Sequence, residues 1–261
     1  MAPPAGFRLP CRDKPGRRWA LEKTVVVFQG KSDFDSVNVM AAELAQGFAA
    51  LGWRPRLVDL RHPDCLAQIV AELRGGGVEL FLSLNGFGIP NGESIGFYAH
   101  SPAKVLVYFV DHPLYHYPTI RARLPHLTAT FPTRHHVDFC ADFIRGDIPL
   151  SHVPHGGGLP AAGVVRPWRD RDVDVLLPAS LPEPPAVLRS AWSEEFGPAV
   201  AGRLGAIVEE QQADPARPLH HSVQRVLGDA AVEAMFPYFA TADKYLRAKV
   251  KFDTVAALVQ C

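Results

Sequence analysis

The chain has 261 residues, of which 48% are hydrophobic, so it can bury a sizeable core in one large domain or two small ones. Its 27 Lys and Arg balance its 27 Asp and Glu, which leaves no overall charge to attract nucleic acid or a membrane surface. The four cysteines are widely spaced without a CxxC pair, which argues against a zinc knuckle or a disulfide framework and favours a cytoplasmic location. No apolar run approaches the length of an integral membrane segment.

The chain begins with a basic segment and continues with alternating strand and helix signals. Residues 1–20 lack the apolar stretch of a secretion signal, so we expect a disordered basic leader there. Residues 21–160 alternate short β-branched runs with helically spaced apolar positions. We predict strands at 24–28, 56–60, 78–84, 105–110, 127–131 and 151–154, and helices at 37–51, 65–73, 94–99, 119–124 and 134–143. Such repeated βα units predict an α/β fold, a Rossmann-like doubly wound parallel sheet.

The composition changes after residue 160. A glycine-rich linker leads to one predicted strand at 171–180, and a proline-dense segment follows it. Apolar periodicity then predicts helices at 198–212, 222–235 and 240–258. Residues 161–261 therefore read as a linker, one strand and a mostly helical, incomplete second domain. The apolar faces of its helices need burial, and if they were left uncovered they would favour a homodimer.

The segment 110–117, VDHPLYHY, carries an unusual density of polar and titratable side chains. It contains Asp111, His112, Tyr115 and His116 and directly follows a predicted buried strand. The carboxyl ends of parallel strands form the ligand crevice of an open α/β sheet. The segment is therefore our first candidate for a binding or catalytic site, although Asp111 and His112 would also suit a loop cap and a hydrogen-bonding niche.

Two strings resemble hydrolase motifs. Residues 92–96 read GESIG, like a nucleophile elbow, and residues 155–158 read HGGG, like an esterase oxyanion loop. The serine follows a long loop rather than a strand, and HGGG comes after the serine motif rather than before it. Both strings are better explained as loops.

Metal and dinucleotide sites are weakly supported. His112 and His116 have the spacing of a helical zinc pair, but Pro113 disfavours a helix through His112 and no third ligand is marked. The first loop, QGKSDFDS, has a single glycine, Gly30, where dinucleotide-binding folds carry G-x-G-x-x-G. We predict no metal, no cofactor and no Rossmann oxidoreductase. The NGFG loop at 85–88 is more suggestive, because its glycines would let a bulky ligand approach the sheet edge, or would simply form a wide turn.

Several segments resemble the amino-terminal half of bacterial GT-B glycosyltransferases related to spore-maturation proteins, of the group 1-like type. These are SDFDSVNVMAAELAQGFAALGW, FLSLNGFG, VLVYFVDHPLYHY, FPTRHHVDF and VPHGGG, followed by RDVDVLLPAS, and together they cover about residues 24–180. The resemblance implies two Rossmann-like domains that face a cleft. The first domain binds the acceptor, and the second binds the nucleotide-sugar donor. HGGG would lead into the linker, and residues 174–177 would form the first donor-domain strand.

The resemblance also implies roles for individual residues. Transfer to an acceptor hydroxyl needs a base, and Asp111 and His112 are the candidates, since an imidazole pKa near 6.5 suits proton transfer at neutral pH. We expect the substrate-binding residues to be Asn85, Gly86, Gly88, Tyr115, His116 and His155. The partner would be a sugar acceptor, and a nucleotide-sugar only where a complete donor domain is supplied. The alternative is a non-catalytic, Rossmann-like ligand-binding or assembly module.

The sequence predicts that this chain alone has no glycosyl-transfer activity and no tight nucleotide-sugar site. Donor diphosphates in such folds rely on a glycine-rich turn at a helix amino terminus, and only proline-rich and helical sequence follows residue 180. Calorimetric titration with UDP-, GDP- and TDP-sugars checks the prediction. A micromolar dissociation constant for any of them, about −8 kcal/mol, would contradict it.

Overall fold

The computed structural model describes residues 23–32, 35–89, 96, 98, 101–156 and 182–259. The predicted basic leader and the predicted strand at 171–180 lie outside these residues, as does most of the predicted helix at 94–99. The described residues form a parallel sheet flanked by helices, here called the sheet domain (23–156), and a helical unit (182–259).

Six parallel strands make up the sheet, in the order β2-β1-β3-β4-β5-β6. They are β1 (Thr24–Gln29), β2 (Arg54–Asp59), β3 (Val78–Leu84), β4 (Lys104–Tyr108), β5 (Leu127–Phe131) and β6 (Leu150–His152). The predicted Rossmann-like parallel sheet is confirmed. Because the strands are all parallel, the loops after them meet at one edge, and this edge holds the site described below.

Strand β1 shows why the sheet is stable. The side chains of Val25 and Val27 pack into the core on one face, and those of Val26 and Phe28 pack into the core on the other. All four are fully buried. A continuous apolar run is typical of a parallel strand covered by helices on both faces, and this is why the run was recognisable in the sequence.

Helices of the sheet domain cover both faces. They are α1 (Ser36–Ala50), α2 (Cys65–Gly75), α3 (Tyr117–Ile120) and α4 (Arg134–Phe139). A short 3-10 helix (Pro113–His116) precedes α3, and a π-helical turn (Cys140–Ile144) continues α4. The chain after β4 thus turns into helix almost at once, which holds the VDHPLYHY segment against the sheet edge.

The predicted helix at 119–124 is wrong in its bounds, because α3 ends at Ile120. Proline explains both ends of the observed element. Pro113 and Pro118 each lie in the first turn of a short helix, where the missing N–H costs nothing. Pro125 disfavours helical backbone at the residue before it, so the helix cannot continue to Leu124.

The helical unit contains four helices: α5 (Pro185–Phe196), α6 (Pro198–Ala213), α7 (Leu219–Leu227) and α8 (Val232–Val259). Helix α5 was not predicted, because its proline-dense start suggested a loop. The helix predicted at 222–235 is divided into α7 and α8 by Gly228, whose φ of 72° ends α7. Among the described helices, none is long and apolar enough to cross a membrane.

The sheet domain and the helical unit share one hydrophobic core. Leu114 in the 3-10 helix and Phe139 in α4 are both almost fully buried, in the same cluster as Val223 of α7 and Met235 and Phe239 of α8. Burial of a leucine or phenylalanine side chain contributes about 1.5–3 kcal/mol. The two side chains therefore fix the helical unit over the carboxyl edge of β4 and β5.

Replacing Leu114 with alanine should destabilise the protein by about 2–5 kcal/mol, because it leaves a cavity at the junction. The matched control is Leu66→Ala, since Leu66 is 59% exposed on α2 and its change should cost no more than about 0.5 kcal/mol. Urea unfolding followed by circular dichroism measures both. Equal effects of the two variants would contradict the shared core.

Candidate functional site

A cleft of about 490 Å³ lies at the carboxyl edge of β4 and β5, beneath α7 and α8. Its volume is within the range of small-molecule sites. Its polar and titratable lining includes Asp111, His112 and His136 from the sheet domain, and His220, Asp243 and Arg247 from the helical unit. The segment expected to form the site thus meets residues more than a hundred positions later in the chain.

Asn85 joins the loops after β3 and β4. Its Oδ1 accepts a hydrogen bond from the backbone N–H of Val110 at 2.8 Å, and its Nδ2 donates to Asp111 Oδ2 at 2.8 Å. Its φ of 51° is in the left-handed region, which asparagine tolerates better than most residues. The amide of Asn85 therefore holds Asp111 in place, and its contact with a substrate stays a prediction.

Backbone conformation and close packing explain why the NGFG loop has glycine at two positions. Both have positive φ, 80° at Gly86 and 75° at Gly88. A Cβ on Gly86 would lie 2.8 Å from Cγ2 of Thr119, and one on Gly88 would lie 3.2 Å from the ring of Phe28. The wide-turn interpretation is sufficient for them, and their contact with a substrate stays a prediction.

Asp111 is a half-buried carboxylate with one oxygen in use. Its Oδ2 lies 3.8 Å from His116 Nε2, which is too long for a hydrogen bond but close enough for an electrostatic contact. The imidazole of His116 contributes most to lowering the pKa of Asp111, and Asn85 and Arg247 lower it further against the effect of burial. Asp111 is therefore ionised at neutral pH.

Both ring nitrogens of His112 are engaged. Nδ1 accepts the backbone N–H of Leu114 at 3.2 Å, which caps the 3-10 helix. In the neutral ring the proton must then be on Nε2, which lies 3.2 Å from His220 Nδ1 and donates to it. His220 consequently carries its own proton on Nε2. This geometry agrees with the alternative interpretation of the sequence, in which His112 fills a hydrogen-bonding niche.

The imidazoles of the cleft are poor bases. Burial is the largest cause in each case, and it lowers the pKa of His112 to about 2, of His220 to about 3 and of His136 to about 4. Neighbouring imidazoles and, at His112, Arg247 lower these pKa values further. His136 Nδ1 is buried, with no hydrogen-bond partner among the described residues. At neutral pH these three rings are thus neutral.

The helical unit adds an ion pair that the sequence did not reveal as part of a site. Asp243 and Arg247 are one turn apart on α8, and Arg247 Nε lies 2.8 Å from Asp243 Oδ2. The hydroxyl of Tyr115 donates to the same carboxylate at 2.6 Å. Tyr115, which was expected to touch substrate, is therefore bound to Asp243. The spacing of Asp243 and Arg247 was the only available signal, and it is equally typical of a surface pair.

His155 lies away from the main cluster. Its Nδ1 is 3.2 Å from the hydroxyl of Tyr108, which also donates to the carbonyl of Val153. His155 is exposed and is not among the residues that line the cleft. The following Gly157 and Gly158 of the HGGG string fall outside the described part of the chain. The role of His155 in substrate binding stays a prediction.

The described histidines of the cleft pack against aromatic rings. Within the ranges that the structure describes, no group of three or more His, Cys, Asp or Glu side chains is arranged to hold a metal ion. The rings of His220, Phe139 and Phe239 instead surround the ring of His112 in tilted contacts, at centroid distances of 4.4–5.3 Å. Their arrangement is that of packed, hydrogen-bonded core side chains.

Comparisons with models of protein families, with curated proteins and with solved structures find no match to this chain. The glycosyltransferase resemblance of its sequence motifs is thus a proposal. Because one α/β fold serves many activities, function has to be argued from the chemistry of the cleft.

The buried neutral imidazoles predict a loss of stability on acidification. The unfolded chain takes up protons near pH 6.5, and the folded chain resists them down to the lowered pKa values, so stability is full above about pH 6.5 and falls below it. Between pH 7 and pH 5, His112 alone should cost about 2 kcal/mol. Urea unfolding at the two pH values measures the difference.

The variant His112→Gln should be less stable at pH 7 but should show a shallower dependence on pH. His62→Gln is the control, since it removes an imidazole from the surface, where the side chain is 54% exposed. If His112→Gln and His62→Gln had the same pH dependence as the unchanged protein, burial of His112 would not be the cause.

Proposed function

We propose that this chain supplies the acceptor-binding site of a GT-B glycosyltransferase, and that the cleft over β4 and β5 holds a sugar-type acceptor. The observation that supports the proposal most is the convergence of Asp111, His220 and Arg247 around one small-molecule-sized cleft at the carboxyl edge of the sheet. The donor nucleotide-sugar would be bound elsewhere, by a complete donor domain.

The unused hydrogen-bonding groups of the cleft suit a ligand with hydroxyl groups. Among the described residues, nothing hydrogen-bonds to Oδ1 of Asp111, which can only accept, whereas the Nε2–H of His220 and the terminal N–H groups of Arg247 can only donate. A hydroxyl group does both, so a polyhydroxylated ligand satisfies both kinds of group at once.

Asp111 is the better of the two predicted bases in this proposal. Asn85 fixes its position, and its lowered pKa keeps it ionised at neutral pH. His112 has no free lone pair. Its Nδ1 accepts a hydrogen bond from the backbone N–H of Leu114, and its Nε2 carries the proton with which it donates a hydrogen bond to His220. In this scheme His112 holds the 3-10 helix and α7 together, and Asp111 accepts the proton of the acceptor hydroxyl.

A non-catalytic ligand-binding module is the second candidate. The observation that favours it is the low basicity of three cleft imidazoles, those of His112, His136 and His220, since histidine is the residue type most used for proton transfer. A complete glycosyltransferase should be thermally stabilised by UDP or GDP, whereas a binding module should not. The described cysteines, Cys65 and Cys140, are free thiols, which agrees with the proposed cytoplasmic location for either function.

Saturation-transfer NMR with a panel of methyl glycosides tests acceptor binding. We expect at least one neutral glycoside to bind with a dissociation constant of about 1 mM, and Asp111→Asn to weaken it about tenfold. The control is Asp147→Asn, which removes a carboxylate at the opposite edge of the sheet, where Asp147 pairs with Arg145. Absence of binding across the panel, or equal effects of the two variants, would refute the proposed site.

A further inference from the structure

The side of the Arg247 guanidinium that carries Nη1 and Nη2, here called its outer edge, is open to a further hydrogen-bonding partner. Its Nε lies 3.0 Å from Asp243 Oδ1 and 2.8 Å from Oδ2, which uses the inner side of the guanidinium. Among the described residues, nothing hydrogen-bonds to its Nη1 or Nη2, and the residue lines the cleft. A guanidinium held in this way presents two parallel N–H groups in a fixed fork.

Both parts of the molecule contribute to holding this guanidinium, although the Arg247 side chain is 60% exposed. Asp243 is held by the Tyr115 hydroxyl at 2.6 Å, and Tyr115 belongs to the 3-10 helix of the sheet domain. The Tyr115 ring packs edge-on against Phe236 and Phe239, with centroids 6.1 and 5.7 Å away. Arg247 is thus supported by a chain of contacts that starts at the sheet edge, which is more than a surface ion pair needs.

Arg247 supplies the guanidinium cation of the cleft. Its Nε–H and the Tyr115 hydroxyl both donate to Asp243, and this ion pair neutralises part of the guanidinium charge. The imidazoles of His112, His136 and His220 add no positive charge at neutral pH. Asp111 is the opposing charge, and it is bound to Asn85 and lies beside His116 on the other wall.

We propose that the outer edge of Arg247 binds an oxyanion of the ligand, either a phosphate or a carboxylate, with the Nε2–H of His220 as a further donor. Two parallel N–H groups match two oxygens of such an anion, and the charge-assisted bonds are stronger than those to a neutral hydroxyl. This inference rests on the proposed ligand cleft and makes its ligand an acidic one, such as a phosphorylated or carboxylated sugar. It does not require that sugar transfer takes place.

Titration with inorganic phosphate at constant ionic strength, followed by the NMR signals of the protein, tests the oxyanion site directly. Phosphate should shift signals of the cleft residues in a saturable manner, and Arg247→Gln should weaken this binding about tenfold, or about 1.4 kcal/mol. The matched control is Lys249→Gln, because Lys249 is on the same helix and forms an equivalent pair with Asp253. Loss of binding in Lys249→Gln as well, or no loss in Arg247→Gln, would overturn the proposal.

Asp111→Asn provides a test with the opposite sign. Removing the opposing charge should tighten phosphate binding, even though the same variant should weaken a neutral glycoside that donates a hydroxyl to Asp111. A general disturbance of the cleft would weaken both ligands. Weaker phosphate binding by a folded Asp111→Asn variant would therefore contradict an oxyanion site facing that carboxylate.

Three sugar probes separate the sources of the oxyanion and the two proposals. Glucose 6-phosphate carries a phosphate, glucuronate carries a carboxylate, and glucose carries neither group. We expect one of the charged sugars to bind about tenfold more tightly than glucose, and this advantage to vanish in Arg247→Gln. If glucose binds as well as both acids, only the oxyanion inference fails. If phosphate binds through Arg247 but no sugar binds, the proposed function fails and the oxyanion site stands.

Discussion

The insertion of Leu114 and Phe139 into the core of the helical unit is the interaction on which the rest of the structure depends. Both side chains come from the edge of the sheet, and both are almost fully excluded from water only because α7 and α8 cover them. With these side chains inserted, α7 and α8 cover the cleft, and His220 and Arg247 lie at the sheet edge. The insertion also creates the low-dielectric surroundings that keep His112 neutral, so the chemistry of the site is a result of the packing.

The cleft therefore combines groups of two kinds. The sheet domain supplies the carboxylate of Asp111, positioned by Asn85, and the helical unit supplies the guanidinium of Arg247, positioned by Asp243. Each charged group is hydrogen-bonded to a neighbouring side chain, Asp111 to Asn85 and Arg247 to Asp243, and each also lines the cleft. Such an arrangement lowers the entropic cost of binding, because neither side chain has to be ordered when the ligand arrives.

Strands β1, β3, β4 and β5 could be predicted because each is a short, largely apolar or β-branched run, and the location of Asp111 could be predicted because it closely follows such a run. The role of His112 could not, since it depends on Leu114 and on His220, which is 108 residues away. The same holds for Arg247, whose i,i+4 pair with Asp243 reads like the surface pair of Lys249 and Asp253. Local patterns specify elements, whereas contacts between distant elements decide which side chains reach the cleft.

Asn85 is followed by Gly86, and an asparagine before a glycine is the sequence context most open to spontaneous deamidation. In the folded protein, the two hydrogen bonds of the Asn85 amide restrain its side chain, which disfavours the rearrangement that deamidation needs. Ageing of the unfolded or locally opened chain would place a carboxylate where an amide now donates to Asp111. Two carboxylates at that distance would have to share a proton, so the pair would keep a single negative charge but would lose the fixed amide donor that now positions Asp111.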